Sequence, residues 1–323
     1  MPEADIRLEK LVLPKLRGFC AGVVRAIDIV DRVLDAVGPP VYVRKEIVHN
    51  KYVVDGLKAK GAVFIDELKE APNGAVAIFS AHGVAPEVWA EALSRKLRIV
   101  DATCPLVTKV HVEALQFARK GYGILLIGHS EHDETIGTLG EAPGSIQLIE
   151  TVEDAEKVQV ADPAKVAYLT QTTLSLDDTR AIVAALKRRF PALAQPPKED
   201  ICYATTNRQN AVKALAPRVD LLLVIGAPNS SNSLRLVEVG RDSGIEAHLI
   251  ERASDIQEAW LRGRRAVGIT SSASAPELLV SEVVEHFKSR YGVTTVEQVD
   301  TVQEDVVFSL PPEIGRLERP TPA

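Results

Sequence analysis

An α/β protein built from three similar units is what this sequence predicts, and three observations carry the prediction. The chain has three cysteines, Cys20 in RGFCAGV, Cys104 in DATCPLV and Cys202 in DICYATT. The two intervals between them are nearly equal, and each is about the length of a small domain. Past each cysteine, at almost the same distance, a short apolar run ends in a polar loop with His49, His132 or Ser230. A second apolar run then ends at His82, Thr172 or Ser274, again at similar distances from the cysteine. Identity between the copies is low, so the repeat is one of pattern, and its long period speaks for αβ units and against a solenoid.

The elements come in chain order. Runs rich in Val, Ile and Leu, such as VYV at 41–43, VAIF at 76–79, Ile124–Ile127, VAYL at 166–169, Leu221–Ile225 and AVGI at 266–269, read as strands buried on both faces. Each gives way to a loop of small polar residues and then to a helix start. Pro86-Glu87, Asp177-Asp178 and Pro276-Glu277 supply the proline or acids that a first helical turn favours. The amphipathic stretches Thr179–Phe190 and Glu277–Arg290 read as two of those helices. Strand, polar loop, helix, strand is the pattern of a parallel sheet, whose ligands bind beyond the carboxyl ends of the strands. The expected domains are 14–103, 104–198 and 199–290, with a tail at 291–323. PALAQPPKED at 191–200 breaks the pattern before the third domain, and RLERPTPA from Arg316 to Ala323 reads as a frayed end.

Composition fits a soluble, cytoplasmic enzyme. Charged residues make up 25% and the net charge is −6, so no basic stripe invites nucleic acid or an anionic membrane. No apolar run is long enough to span a bilayer. Three cysteines without a CxxC fit a reducing compartment and exclude a zinc ribbon or a thioredoxin-like pair.

Three thiolates on three loops suit an iron–sulfur cluster, and they also suit zinc with a histidine or three inert buried thiols. Clusters normally take four cysteines, so three would leave one iron open to a substrate oxygen. Gly18 and Gly22 beside Cys20 let backbone approach closely. His49, His82 and His132, with Ser230, Ser231, Asn232 and Ser274, put neutral donors at strand ends, a cradle for an anion such as a diphosphate. The sequence has no GxxxxGK[ST] loop and no evident Lys or Arg clamp. Each histidine alone also reads as a structural or surface one, and NSSNS alone reads as a turn and cap cluster.

RGFCAGVVRAI, EIVHNKYVV, SAHGV, DATCPLVTKVH, TQTTLS, ICYATTNRQ, PNSSNSLRL and SASAPE, in this order from about Lys10 to about Pro312, resemble the 4-hydroxy-3-methylbut-2-enyl diphosphate reductase family, the IspH/LytB enzymes. The resemblance implies three αβ domains in pseudo-threefold arrangement around a 4Fe–4S cluster held by Cys20, Cys104 and Cys202. It implies a diphosphate bound among His49, His82, His132, Ser230, Ser231, Asn232 and Ser274, with Glu134 as the proton-delivering acid beside Thr172. Gln171 and Thr205 join the surrounding hydrogen bonds. The implied reaction is reductive dehydroxylation to isopentenyl and dimethylallyl diphosphates, with electrons from a ferredoxin or flavodoxin and its reductase. A cluster-dependent dehydratase and a non-catalytic iron–sulfur sensor are the alternatives, and neither needs a reductant for turnover.

The second loop departs from the family pattern. Asp133 stands where proline is common, and Ile136 where a glutamate is often seen. Glu131, Asp133 and Glu134 lie close in sequence, and like charges brought together are expected to raise at least one pKa.

Overall fold

A computed structural model describes residues 6–317. After strand β1 (Lys10–Pro14), the first third of the chain runs α1 (Ala21–Val37), β2 (Val41–Arg44), α2 (Lys51–Ala59), β3 (Ala62–Ile65), β4 (Val76–Phe79), α3 (Pro86–Ser94) and β5 (Arg98–Asp101). The second third runs α4 (Pro105–Arg119), β6 (Gly123–Ile127), α5 (Asp133–Glu141), β7 (Ile146–Ile149), α6 (Val152–Lys157), β8 (Val166–Thr170) and α7 (Leu176–Arg189). The last third runs α8 (Tyr203–Leu215), β9 (Leu221–Ile225), α9 (Ser231–Asp242), β10 (Glu246–Ile250), α10 (Glu258–Leu261), β11 (Ala266–Ser271), α11 (Glu277–Tyr291), β12 (Thr295–Val299) and α12 (Glu313–Leu317).

The strands form three wholly parallel sheets with one common plan. Their orders are β3-β2-β4-β5, β7-β6-β8 and β10-β9-β11-β1-β12. In each, the first strand of a repeat lies between the second and the third. A closing strand then adds beside the third: β5 in the first sheet, a one-residue bridge from Ala194 to Ala167 in the second, and β1 in the last. The central strands are covered on both faces, and all five side chains of Leu221–Ile225 are fully buried. Burying one such side chain stabilises by roughly 1.5–3 kcal/mol, which is why these runs need no polar alternation.

The expected boundaries differ from this plan at both ends. They leave all of β1 but Pro14 ahead of the first domain and 295–299 in a tail, yet β1 pairs with β11 (Lys10 opposite Ala266) and with β12 (Lys10 opposite Thr295). A strand's own residues specify that it is buried, and partners at the far end of the chain leave no local mark. The described chain forms two compact units. One holds the β10-β9-β11-β1-β12 sheet and takes the described residues up to Cys20, His49–Lys51 and Tyr203–Val306; the other holds the remaining two sheets and takes Ala21–Val48, Tyr52–Cys202 and the described residues from Val307 on.

Helix starts obey their sequence signals. Pro86 occupies the first turn of α3, and Pro276 caps α11, which ends at Gly292 in the left-handed region (φ 66°). Helix α7 begins three residues earlier than expected because the Ser175 hydroxyl accepts the Asp178 N–H. Acids in its first turn and Lys187, Arg188 and Arg189 in its last complement the helix dipole. Of the expected frayed end, Arg316 and Leu317 finish α12, and 318–323 lie outside the described residues. No helix among the described residues is long and apolar enough to cross a membrane.

Candidate active site

Each cysteine immediately precedes a helix: Cys20 before α1, Cys104 before α4 and Cys202 before α8. Cys104 is the N-cap of α4, with Pro105 at the first helical position. All three are half-buried and none is in a disulfide. Their backbone N–H groups are held by strand-end loops: Cys20 donates to the Ala273 carbonyl at 3.2 Å, Cys104 to Ala81 at 3.0 Å and Cys202 to Thr172 at 3.0 Å. Each cysteine thus stands at the N-terminus of a helix, the end that carries the unpaired backbone N–H groups.

The second unit brings His82, His132, Glu134 and Thr172 together. His132 caps α5, and its Nδ1 accepts the Glu134 N–H at 3.2 Å, which leaves the ring proton on Nε2 as a donor. The rings of His82 and His132 meet edge to face at 5.8 Å, and His82 Nδ1 lies 3.3 Å from the Ser80 hydroxyl. Glu134, in the first turn of α5, is only 2% exposed. Its two oxygens accept the Thr172 N–H at 2.6 Å and the Thr172 hydroxyl at 3.0 Å. Burial pushes the Glu134 carboxyl up to about 7; the two Thr172 hydrogen bonds oppose the shift and the nearby Asp200 adds to it. Gln171 stiffens the strand end by accepting from His129 N–H (3.1 Å) and Thr135 (3.3 Å) and donating to Thr173 (2.8 Å).

The crowded acidic trio is not the cause of that shift. Only Glu134 of the three turns inward, while Glu131 is exposed and Asp133 half-buried. Successive helical residues point about 100° apart, so neighbours in sequence need not face one another. Ile136 is half exposed on the outer face of the same helix.

The other unit gathers His49, Ser230, Ser231, Asn232 and Ser274. Ser274 donates to the His49 carbonyl at 3.1 Å and lies 3.2 Å from the Ser272 hydroxyl. The Asn229 amide is 3.4 Å from His49 Nδ1. Ser230 caps α9 by accepting the Ser233 N–H, and Ser231 and Asn232, both buried, form its first turn. Both side-chain polar atoms of Asn232 are buried without a hydrogen-bond partner. A buried amide left unsatisfied at a helix N-terminus fits an anionic ligand supplied from outside. Thr205 is buried near the start of α8.

Three buried groups are invisible to the sequence analysis. Asp200, 4% exposed, accepts from Lys109 Nζ (2.6 Å) and from Thr170 N–H (2.9 Å); burial raises its pKa and Lys109 opposes the rise. His111, on α4, contacts Glu141 through Nδ1 at 2.8 Å, and burial pushes its pKa down to about 4. An added Cβ on Gly83 or Gly137 would come within 3.1 or 3.3 Å of this ring, so both glycines admit it. Arg208 is fully buried and donates to the Gly18 carbonyl at 2.7 and 3.2 Å. The one local signal is a run of polar residues (Lys109, His111, Glu113) on a helix that also carries a buried apolar face.

A carboxyl buried at a strand end, with thiols at helix starts and parallel sheets behind them, defines the class: an α/β enzyme working at the carboxyl ends of its strands. The chain belongs to the LytB protein family, which it matches over residues 11–288. It is 59% identical over 303 residues to a 4-hydroxy-3-methylbut-2-enyl diphosphate reductase of Cereibacter sphaeroides, covering 93% of this chain and 95% of that protein. A protein of the same name from Acidothermus cellulolyticus is 56% identical over 308 residues, covering 95% and 90%. The solved structure of the E-1-hydroxy-2-methyl-but-2-enyl-4-diphosphate reductase of Plasmodium falciparum is similar with a TM-score of 0.93 at 39% identity, over 96% of this chain and 98% of that one.

Proposed function

We propose that the chain reduces 4-hydroxy-3-methylbut-2-enyl diphosphate to isopentenyl and dimethylallyl diphosphates, the terminal step of the non-mevalonate route. The observation that carries this reading is the Glu134 carboxyl, buried, twice bonded by Thr172 and poised to hold a proton near neutral pH. Its relatives' names agree, at 56% and 59% identity over most of the chain.

In this reading Cys20, Cys104 and Cys202 are the protein ligands of a 4Fe–4S cluster, each sheet with its helices being one domain of three. The donor set fits: three thiols outside any disulfide, each at a helix start, and no fourth cysteine in the chain. When bound, such a cluster supplies an open Lewis-acidic iron and a path for two electrons. The residues of the chain do the rest. Ser230, Ser231, Asn232, Ser274, His49, His82 and the Nε2–H of His132 are the diphosphate-binding groups in this reading. Asn232 gains the partners its buried amide lacks. Glu134 delivers one proton to the departing hydroxyl so that water leaves, Thr172 orients the carboxyl, and the second proton, which with the two external electrons forms the new C–H bond, comes from the substrate's own diphosphate. The reductant is external, a ferredoxin or flavodoxin with its reductase, and the reducing cytoplasm suits three such thiols.

The test is anaerobic turnover of iron- and sulfide-reconstituted protein with the substrate and reduced methyl viologen. Both five-carbon diphosphates are expected, and none without the reductant. Product formed without it would favour a dehydratase. No product from a protein with a verified four-iron cluster would overturn the assignment.

A further inference from the structure

The helix behind each cysteine carries one cation at nearly the same place: Arg25 five residues past Cys20, Lys109 five past Cys104, Arg208 six past Cys202. All three spend their donors on main-chain oxygens just ahead of a cysteine. The Arg25 guanidinium donates to the carbonyls of Ala102 (3.2 Å) and Thr103 (3.0 Å), directly before Cys104. Lys109 donates to the carbonyls of Lys198 (2.7 Å) and Glu199 (3.5 Å) and to the Asp200 carboxylate (2.6 Å), just before Cys202. Arg208 sends two donors to the Gly18 carbonyl, two residues before Cys20. Each cation thus anchors the loop of the next cysteine in cyclic order, Cys20 to Cys104 to Cys202 and back to Cys20.

The N–H groups of these loops are already held at strand ends, as Cys20, Cys104 and Cys202 show, and the cations add a hold on the carbonyl side. Charge-assisted hydrogen bonds are the strong ones available to hold them. The three repeats share little sequence, yet this placement recurs in each. General stabilisation of the fold gives no reason for a similar helical position and a similar target three times. The remaining donors of the two arginines are committed as well: Arg208 also meets Glu304 and the Ala204 carbonyl, and Arg25 the Ser309 carbonyl.

We propose that Arg25, Lys109 and Arg208 are positioning residues that fix the loops of Cys104, Cys202 and Cys20 in the geometry a bound cluster needs. This inference rests on the cluster reading above. It needs no charge change at the cysteines themselves, only that the loop before each is pinned. Arginine at two positions and lysine at the third match their targets. The forked guanidinium of Arg25 bridges two adjacent carbonyls, and the ammonium of Lys109 converges on two carbonyls and a carboxylate.

The test reads each cysteine separately in the metal-free protein. Arg25→Met, Lys109→Met and Arg208→Lys are treated with iodoacetamide, and alkylation of each cysteine is followed by peptide mass spectrometry. Arg208 is changed only to lysine, because its partner Glu304 needs a cation. The expected result is a diagonal pattern. Cys104, Cys202 and Cys20, respectively, react about tenfold faster, the other two stay within about twofold, and the thermal midpoint of the metal-free protein barely moves. Lys109→Arg should restore the slow rate at Cys202. After reconstitution, the same variants should surrender iron to a chelator about tenfold faster than wild type. Uniform acceleration of all three cysteines, or wild-type rates throughout in a chain that does take up the cluster, would overturn the clamps. A wild-type chain that takes up no iron and sulfide would instead refute the cluster reading.

Discussion

Helices α5 and α9 start at the same place in their repeats, and they end up doing opposite things. Both follow the central strand of a parallel sheet, both are capped by a side chain, His132 in one and Ser230 in the other, and both bury the second residue of their first turn. In α5 that residue is Glu134, satisfied by Thr172 and held near the neutral–charged boundary. In α9 it is Asn232, permanently neutral and unsatisfied. One backbone geometry therefore offers a proton at one copy and empty hydrogen bonds at the other. The fold supplies the position, and in the reading proposed above the residue at it decides between moving a proton and holding an anion.

The comparison breaks most visibly at the acid. Glu134→Gln makes α5 resemble α9, and kcat should fall about 10²–10⁴-fold while KM and iron content hold. Steady-state kinetics with iron analysis checks this; unchanged kcat would remove Glu134 from the reaction. The reverse exchange, Asn232→Asp, puts a carboxylate where the diphosphate is to sit. KM should rise at least about tenfold, with kcat within about threefold, because like charges in a buried site repel. A KM equal to wild type would show that α9 does not meet the diphosphate.

A smaller effect sharpens the comparison through pH. The Glu134 carboxyl carries its proton below about 7 and loses it above. The wild-type rate should therefore fall as pH rises through 7, approaching tenfold per unit, whereas the residual rate of Glu134→Gln should be flat there. The smallest effect is on stability. Because the folded pKa lies above the ordinary 4.5, Glu134 favours folding most below 4.5, and this contribution fades as pH climbs towards 7. Relative to wild type, Glu134→Gln should thus gain stability between pH 5 and pH 8, by at most about 3 kcal/mol. Denaturant melts at the two pH values measure it, and a gain equal at both would refute the buried charge as its source.

The strands and the polar loops at their ends are legible in the sequence because buried parallel strands are locally apolar and their ends locally polar. Leu221–Ile225 needs no correction, and spacing alone matches Ser230 with His132. All of β1 but Pro14 falls outside the expected domains because its identity as a closing strand depends on Ala266 and Thr295, which no local pattern announces. The raised pKa of Glu134 comes from its burial, which is hidden for the same reason, and a smaller contribution comes from another remote residue. Asp200, distant in sequence, is the acid that adds to its shift, while Glu131 and Asp133 beside it stay nearer the surface. Arg25, Lys109 and Arg208 read locally as ordinary helix-surface cations, and only the loops they reach reveal otherwise.

The closing role of β1 has a consequence for how the molecule is made. On the ribosome its residues emerge near the start, yet both neighbours that clasp the strand come from the far end of the chain. Closing so long a loop costs only a little more entropy than closing a short one, so the burden falls on time and not on equilibrium. Through most of elongation β1 hangs without a sheet, and Cys20, six residues beyond it, has no fixed address. The first thiol to be synthesised is the last to be seated. Loading of the cofactor proposed above would then wait until β11 and β12 have been made, and whatever shields a free strand and a free thiol in the meantime is as much a part of making this enzyme as the fold itself.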